Sequence, residues 1–184
     1  MAVPPAWFAG DNTTAVREAH RAVELLEGEA LSRELAMAYS NQAQLSMLAG
    51  DVNGAIDSGC RAIELAERLG ATEILVHALN NVGTAEMSVN IPDGETKLER
   101  SLALALEAGL EEHVARPHTN LGSTRVMSRD YTQAEQHLLT GIDYSEEHDL
   151  DAWRLHAGLE GSSALRAGPL ERSRRARRRA RTRP

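Results

Sequence analysis

AYSNQAQLSMLAG (residues 38–50), ALNNVGTAEMSVN (residues 78–90) and PHTNLGSTRVMSR (residues 117–129) decide the fold when they are stacked. The fourth position is asparagine each time: Asn41, Asn81 and Asn120. The sixth is a small residue: Ala43, Gly83 and Gly122. Each stretch runs into a turn signal: Gly50-Asp51-Val52, Asn90-Ile91-Pro92-Asp93 and Arg129-Asp130-Tyr131. A further signal precedes them at Gly10-Asp11-Asn12, and a weaker one follows at Gly168-Pro169-Leu170. The five starts are separated by 40, 40, 39 and 39 residues. After the turns, Ala15, Ala55 and Ala134 recur, followed seven residues later by Ala22, Ala62 and Gly141. Self-similarity at such a period is the mark of a repeat architecture.

Within one period the apolar spacing is helical. Leu35, Ala38, Tyr39, Gln42, Leu45 and Ala49 follow the 3- and 4-residue steps of one helical face, and Ala55, Ile56, Ala62, Ile63 and Leu65 do so after the turn. The expected helices are 12–27, 31–49, 52–69, 72–89, 94–108, 111–128, 132–148 and 151–166. Asp51, Asp93 and Asp130 stand where a helix start needs a side-chain acceptor, and Asp130 with Gln133 forms a capping box. Gly70 and Gly109 fall where the second helix of a pair should stop. Glycine inside a helix costs about 1 kcal/mol relative to alanine. Gly83 and Gly122 therefore imply close helix–helix approach, with Ala43 in the same register and Ala55 and Ala134 facing it from the partner helices. Pro117 breaks the pattern: it either kinks the sixth helix or delays its start.

The expected fold class is all-α: a right-handed α-solenoid of antiparallel helix pairs, period about 40, roughly eight helices. Residues 1–11 read as the remnant of a first helix, 12–168 as the helical-repeat domain and 169–184 as an Arg-rich disordered tail. Composition agrees. Aromatics are 3% and apolar residues 42%, so the core is built from Leu, Ala, Val, Ile and Met. Charge divides sharply: residues 1–170 carry −14, whereas residues 171–184 (ERSRRARRRARTRP) carry +7. The single Cys60 allows no intrachain disulfide, and no run of eighteen apolar residues or signal peptide is present. The expectation is a cytoplasmic protein with no membrane partner.

The Asn-Leu-Gly, Gly-Asp and paired-alanine signals resemble the tetratricopeptide repeat, over residues 5 to 168. More specifically, ELAMAYSNQAQLSMLAGD (34–51), RAIELAERLGATEILVHALNNVGTAEM (61–87), LERSLALALEAGLEEHVARPHTNLGS (98–123) and YSEEHDLDAWRL (144–155) look like the helical-repeat region of actinobacterial LuxR-type regulators. Those regulators resemble signal-transduction ATPases. The resemblance implies a non-catalytic module for protein binding and signal sensing within transcriptional regulation. These 184 residues hold no G-x-x-x-x-G-K-[ST] phosphate loop and no helix-turn-helix pattern, so ATP binding and DNA binding do not carry over. The half repeat at one end and the arginine run at the other suggest a truncated relative with a shifted reading frame.

No catalytic constellation emerges, and no cofactor or metal is expected. The seven histidines (His20, His77, His113, His118, His137, His148, His156) lack metal-ligand spacing and read as surface or groove residues. In tetratricopeptide arrays the first helix of each pair lines a groove, so the resemblance nominates Ser40, Asn41, Gln44, Asn80, Asn81, Thr84, Arg116, Thr119, Asn120 and Ser123 as partner-binding residues. The asparagines have an equally good structural reading, as links between neighbouring helices. Met37, Met47, Met87 and Met127 read as core filler before binding surface. With Arg116 the one groove cation, a clamp for an acidic tail is not expected. The expected partner is a protein or peptide, with self-association a further expectation from uncapped repeat ends. Two alternatives stand beside it. One is weak nucleic-acid or acidic-surface binding through the Arg-rich tail; the other is an inert gene remnant.

Overall fold

The computed structural model describes residues 12–28 and 30–165. The remnant helix of residues 1–11 and the Arg-rich tail of 169–184 lie outside them, as do most of the first turn signal and all of the last. Among the described residues there are eight α-helices and no strand: α1 Asn12–Leu26, α2 Arg33–Leu48, α3 Val52–Leu69, α4 Thr72–Ser88, α5 Asp93–Ala108, α6 Glu111–Met127, α7 Tyr131–Glu147 and α8 Asp151–Leu165. They form two compact units, one ending at Leu110 and the other beginning at Glu111.

In the first unit α2 packs on α3, α4 on α5, and α3 joins the two pairs through α4, while α1 lies on α2 and α2 also touches α4. Its core is made of Val23, Leu35, Tyr39, Leu65, Ile74 and Leu79 with interleaved alanines. In the second unit α6 packs on α7, and α8 contacts both.

The small residues do what their spacing implies. A methyl added at Gly83 of α4 would lie 2.7 Å from the carbonyl oxygen of Gly94 on α5 and 2.9 Å from Leu98 Cγ. Gly94 is itself 2.7 Å, by the same measure, from the Gly83 oxygen, so the two backbones cross in contact. At Gly122 of α6 a methyl would meet Leu138 Cγ of α7 at 2.5 Å. The first pair solves the same problem the other way round: Ala43 on α2 faces Gly59 on α3, where a methyl would sit 3.4 Å from the Ala43 Cβ and would overlap Val82 of α4. Alanine therefore meets glycine in one pair, and glycine meets leucine in the other two. Leu98 and Leu138, at 0% and 1% exposure, each contribute roughly 2 kcal/mol of burial, which offsets the helix penalty of the glycine opposite.

The turns are equally regular. Gly50, Asn90 and Arg129 close the first helix of successive pairs with φ of 78°, 61° and 63°, and Gly70, Gly109 and Asp149 close the second with φ of 59°, 64° and 55°. Left-handed backbone suits glycine and tolerates asparagine or aspartate; arginine has no such excuse. Asp51 caps α3 by accepting from the Gly54 N–H at 3.0 Å, and Asp130 caps α7 by accepting from the Gln133 N–H at 3.3 Å. Ser32 caps α2 through the Leu35 N–H at 3.1 Å, so the helix starts at Arg33, two residues later than the spacing suggested.

Two expectations need correction. Asp93 is no N-cap: α5 begins on it after Pro92, and its carboxylate lies 3.7 Å from Lys97 in the next turn. The Ile-Pro inserted into this turn moves the aspartate inside the helix. Pro117 does not delay α6, which starts at Glu111 and runs through the proline. Its ring is buried, so packing holds the helix where local chemistry opposes it.

Candidate functional site

The candidate residues lie on α2 and α4 of the first unit and on α6 of the second. In the first unit most of them face inward. Ser40 and Asn81 are 0% exposed and Asn80 is 1%; Gln44 is buried too. Asn81 Nδ2 donates to the Ser40 carbonyl oxygen at 3.1 Å, and Ser40 Oγ lies 2.7 Å from His77 Nδ1. This network ties α2 to α4 across two helix pairs, the linking role open to the asparagines from the start. Asn41 and Thr84 keep partial exposure. Thr84 Oγ1 donates to the Asn80 carbonyl at 2.7 Å, whereas Asn41 Oδ1 has no hydrogen-bond partner among the described residues.

A serine hydroxyl on an imidazole is the start of a nucleophile–base pair. Here both partners are sealed at 0% and 1% exposure. Neither substrate nor water reaches them in this conformation, and the pair acts as a helix-to-helix bond.

In the second unit Thr119 is 1% exposed and donates to the Ala115 carbonyl at 3.1 Å; Ser123, half-buried, donates to the Thr119 carbonyl at 2.9 Å. Asn120 is half-buried beside them. Arg116 is buried, and its guanidinium carbon lies 5.3 Å from the ring centroid of Trp153 on α8. Burial, opposed by the nearby Glu112 carboxylate, brings its pKa down to about 10.

The histidines are not confined to surface and groove. His77 and His113 are buried, and His118 is half-buried against α7. Burial takes His113 down to about 4, with the charge of Arg116 adding to the effect; burial takes His118 to about 4, helped by His137 at 5.9 Å between ring centroids. Both are therefore neutral at pH 7. The periodicity held no sign of this, because a histidine in an alanine-rich helix does not announce which way it faces. Among the methionines, Met37 packs against the core and Met127 is 70% exposed.

Three further arrangements escaped the sequence. Lys97, the chain's one lysine, donates to both carboxylate oxygens of buried Glu86 at 2.8 and 3.0 Å. Tyr39 bonds Glu27, and Arg61 Nη1 bonds the Tyr39 hydroxyl at 3.0 Å and Glu27 at 3.3 Å. An open cleft of about 380 Å³ between α3 and α5 is lined by Cys60, Ile63, Leu79, Lys97 and Arg100 among others. Burial raises the Cys60 thiol pKa, against the reactive thiolate. Among the described residues no group of three His, Cys, Asp or Glu could hold a metal ion, and no helix is long and apolar enough to cross a membrane.

No family model matches the sequence, and no curated protein is similar to it. Solved structures do match. One is aspartyl phosphate phosphatase F from Bacillus subtilis, with a TM-score of 0.66 at 16% identity, over 88% of this chain and 45% of that one. The chain thus spans less than half the length of that protein. At such identity the likeness shows fold alone, and it agrees with the repeat read from the residues: the chain has an all-α, tetratricopeptide-like helical-repeat fold.

Proposed function

We propose that this chain is a non-catalytic protein-interaction module whose partner-binding residues lie on the first helices of its pairs. The observation that carries this reading is on α2 and α4, where Asn41 and Thr84 stay partly open above a sealed layer of Ser40, His77 and Asn81 that bond one another. A rigid backing with a polar rim suits capture of a peptide backbone. Crosslinking in lysate of the source cell, with the wild type and an Asn41→Trp/Thr84→Trp variant that matches it in circular dichroism, tests this. The variant should lose a specific protein partner; retention of every partner would remove these helices from the binding surface.

The finer proposal is a role in signal sensing within a LuxR-type regulatory system, supported by the four quoted stretches. A phosphate-loop gene and a helix-turn-helix gene beside this one would strengthen it, and their absence would leave the sensing role without support. A second reading comes from the fold likeness: the structural neighbour is an aspartyl phosphate phosphatase. Phosphate release from acetyl phosphate or from a phosphorylated receiver domain, above a buffer blank, would favour that reading over a purely binding role.

A further inference from the structure

The start of the second unit is held shut against its own chemistry. Pro117 sits inside α6 with its ring buried. A proline offers no N–H to the carbonyl four residues earlier, here that of His113. One rung of the helix is therefore missing between residues 113 and 117. His113 and His118 flank the gap, and both are neutral at pH 7 because burial brings them down to about 4.

Each faces a cation or a ring that becomes one in acid. Arg116 of the same helix acts on His113, and His137 of α7 lies 5.9 Å from His118, centroid to centroid. Glu112 favours the charged form of Arg116 and so keeps the first of these repulsions in place. His118 has little freedom to withdraw, since a methyl added at Gly141 of α7 would lie 3.0 Å from its Cβ. Arg116 adds a stored cost. It is 9% exposed and stacked on the Trp153 ring of α8 at 5.3 Å, and unwinding would return its charge to water. Against opening stand Val114 and Ala115, at 1% and 0% exposure, whose burial keeps the segment closed at neutral pH.

We propose that α6 carries an acid-operated hinge at Pro117: when His113 and His118 take up protons, the turns from Glu111 to Arg116 unwind and Arg116 leaves the Trp153 ring. An open segment returns both histidines to the ordinary 6.5. Between pH 6.5 and 4 the open form therefore binds protons that the closed form refuses. Each pH unit in that window multiplies the open-to-closed ratio by up to about tenfold per histidine. Above it neither form takes protons and the hinge stays shut; below it both do, and the ratio changes no further.

The full-length protein in a Trp7→Phe background is titrated from about pH 7.5 to about pH 4. Trp153 emission is read together with hydrogen exchange corrected for its intrinsic pH dependence. Emission should change reversibly with uptake of about two protons, while the amides of residues 111–117 lose protection and those of α7 keep theirs. His118→Gln, at a half-buried position, should lower the steepness to about one proton. His137→Gln, which removes the facing charge, should move the midpoint to lower pH. Pro117→Ala, which restores the missing rung, should move it down by about one pH unit. Loss of protection in α7 in step with residues 111–117 would mean acid unfolding of the whole unit and would overturn the hinge. So would a midpoint that Pro117→Ala leaves in place, or a steepness that His118→Gln leaves unchanged.

Discussion

The two units are built from the same repeat but obey its local rules to different degrees. Among the described residues, the left-handed turn positions of the first are Gly50, Gly70, Asn90 and Gly109; those of the second are Arg129 and Asp149. The buried polar groups Ser40, His77 and Asn81 of the first unit bond one another, and Lys97 meets Glu86. The second buries Arg116 without an ion pair among the described residues, keeps His113 and His118 neutral with pKa values held below the ordinary one, and threads Pro117 through a helix. When local preference and global fold agree, a sequence specifies its structure strongly. The second unit carries the disagreements, so its tertiary packing must hold what its local chemistry opposes. Binding residues are often drawn from such weaker ground.

Acid should separate the units most. The folded pKa of His113 and His118, about 4, lies below the 6.5 of an unfolded histidine. Between these values the unfolded chain binds more protons, so stability falls as pH drops from 6.5 toward 4 and changes no further below that. The loss is on the order of 3 kcal/mol for buried His113 and less for partly exposed His118. Hydrogen exchange at pH 7 and pH 4.5 should show residues 111–165 losing protection first, and equal loss in both units would break the comparison.

Gly83→Ala should come next, in the first unit. Its methyl meets the Gly94 backbone, which has little room to yield, and a loss of about 3 kcal/mol is expected in urea unfolding. Gly122→Ala presses instead on the Leu138 side chain, which can move, so its loss should be nearer 1 kcal/mol. Pro117→Ala should strengthen the second unit by about 2 kcal/mol, restoring a helix N–H at some loss of packing; a weaker protein would mean that the ring is worth more than the hydrogen bond. Smallest is Arg129→Gly, which relieves left-handed strain but frees the unfolded chain, for a net gain of about 0.5 kcal/mol in the same urea assay.

Most of the fold was legible because repetition amplifies weak signals. One Asn or Gly means little, but Asn41, Asn81 and Asn120 in register with Ala43, Gly83 and Gly122 fixed all eight helices to within two residues at either end. The candidate site was legible only as far as the helix. Ser40, Asn81 and Thr119 were placed on the right elements, yet phase alone does not tell a groove from a helix–helix seam when both are polar. His77 was invisible as the bonding centre because its partner Ser40 lies 37 residues away on another helix. Trp153 escaped for the same reason: a ring and a guanidinium on separate helices leave no spacing to read.

The exchange of Ala43/Gly59 for Gly83/Leu98 and Gly122/Leu138 has an evolutionary corollary. The first pair is keyed differently from the other two, so a recombination that exchanged its front half with one of theirs would set alanine against leucine, or leave glycine opposite glycine. The first would jam and the second would leave a hole. Halves can be traded between the second and third pairs, which share glycine against leucine, whereas the first pair can be copied or exchanged only as a whole two-helix block.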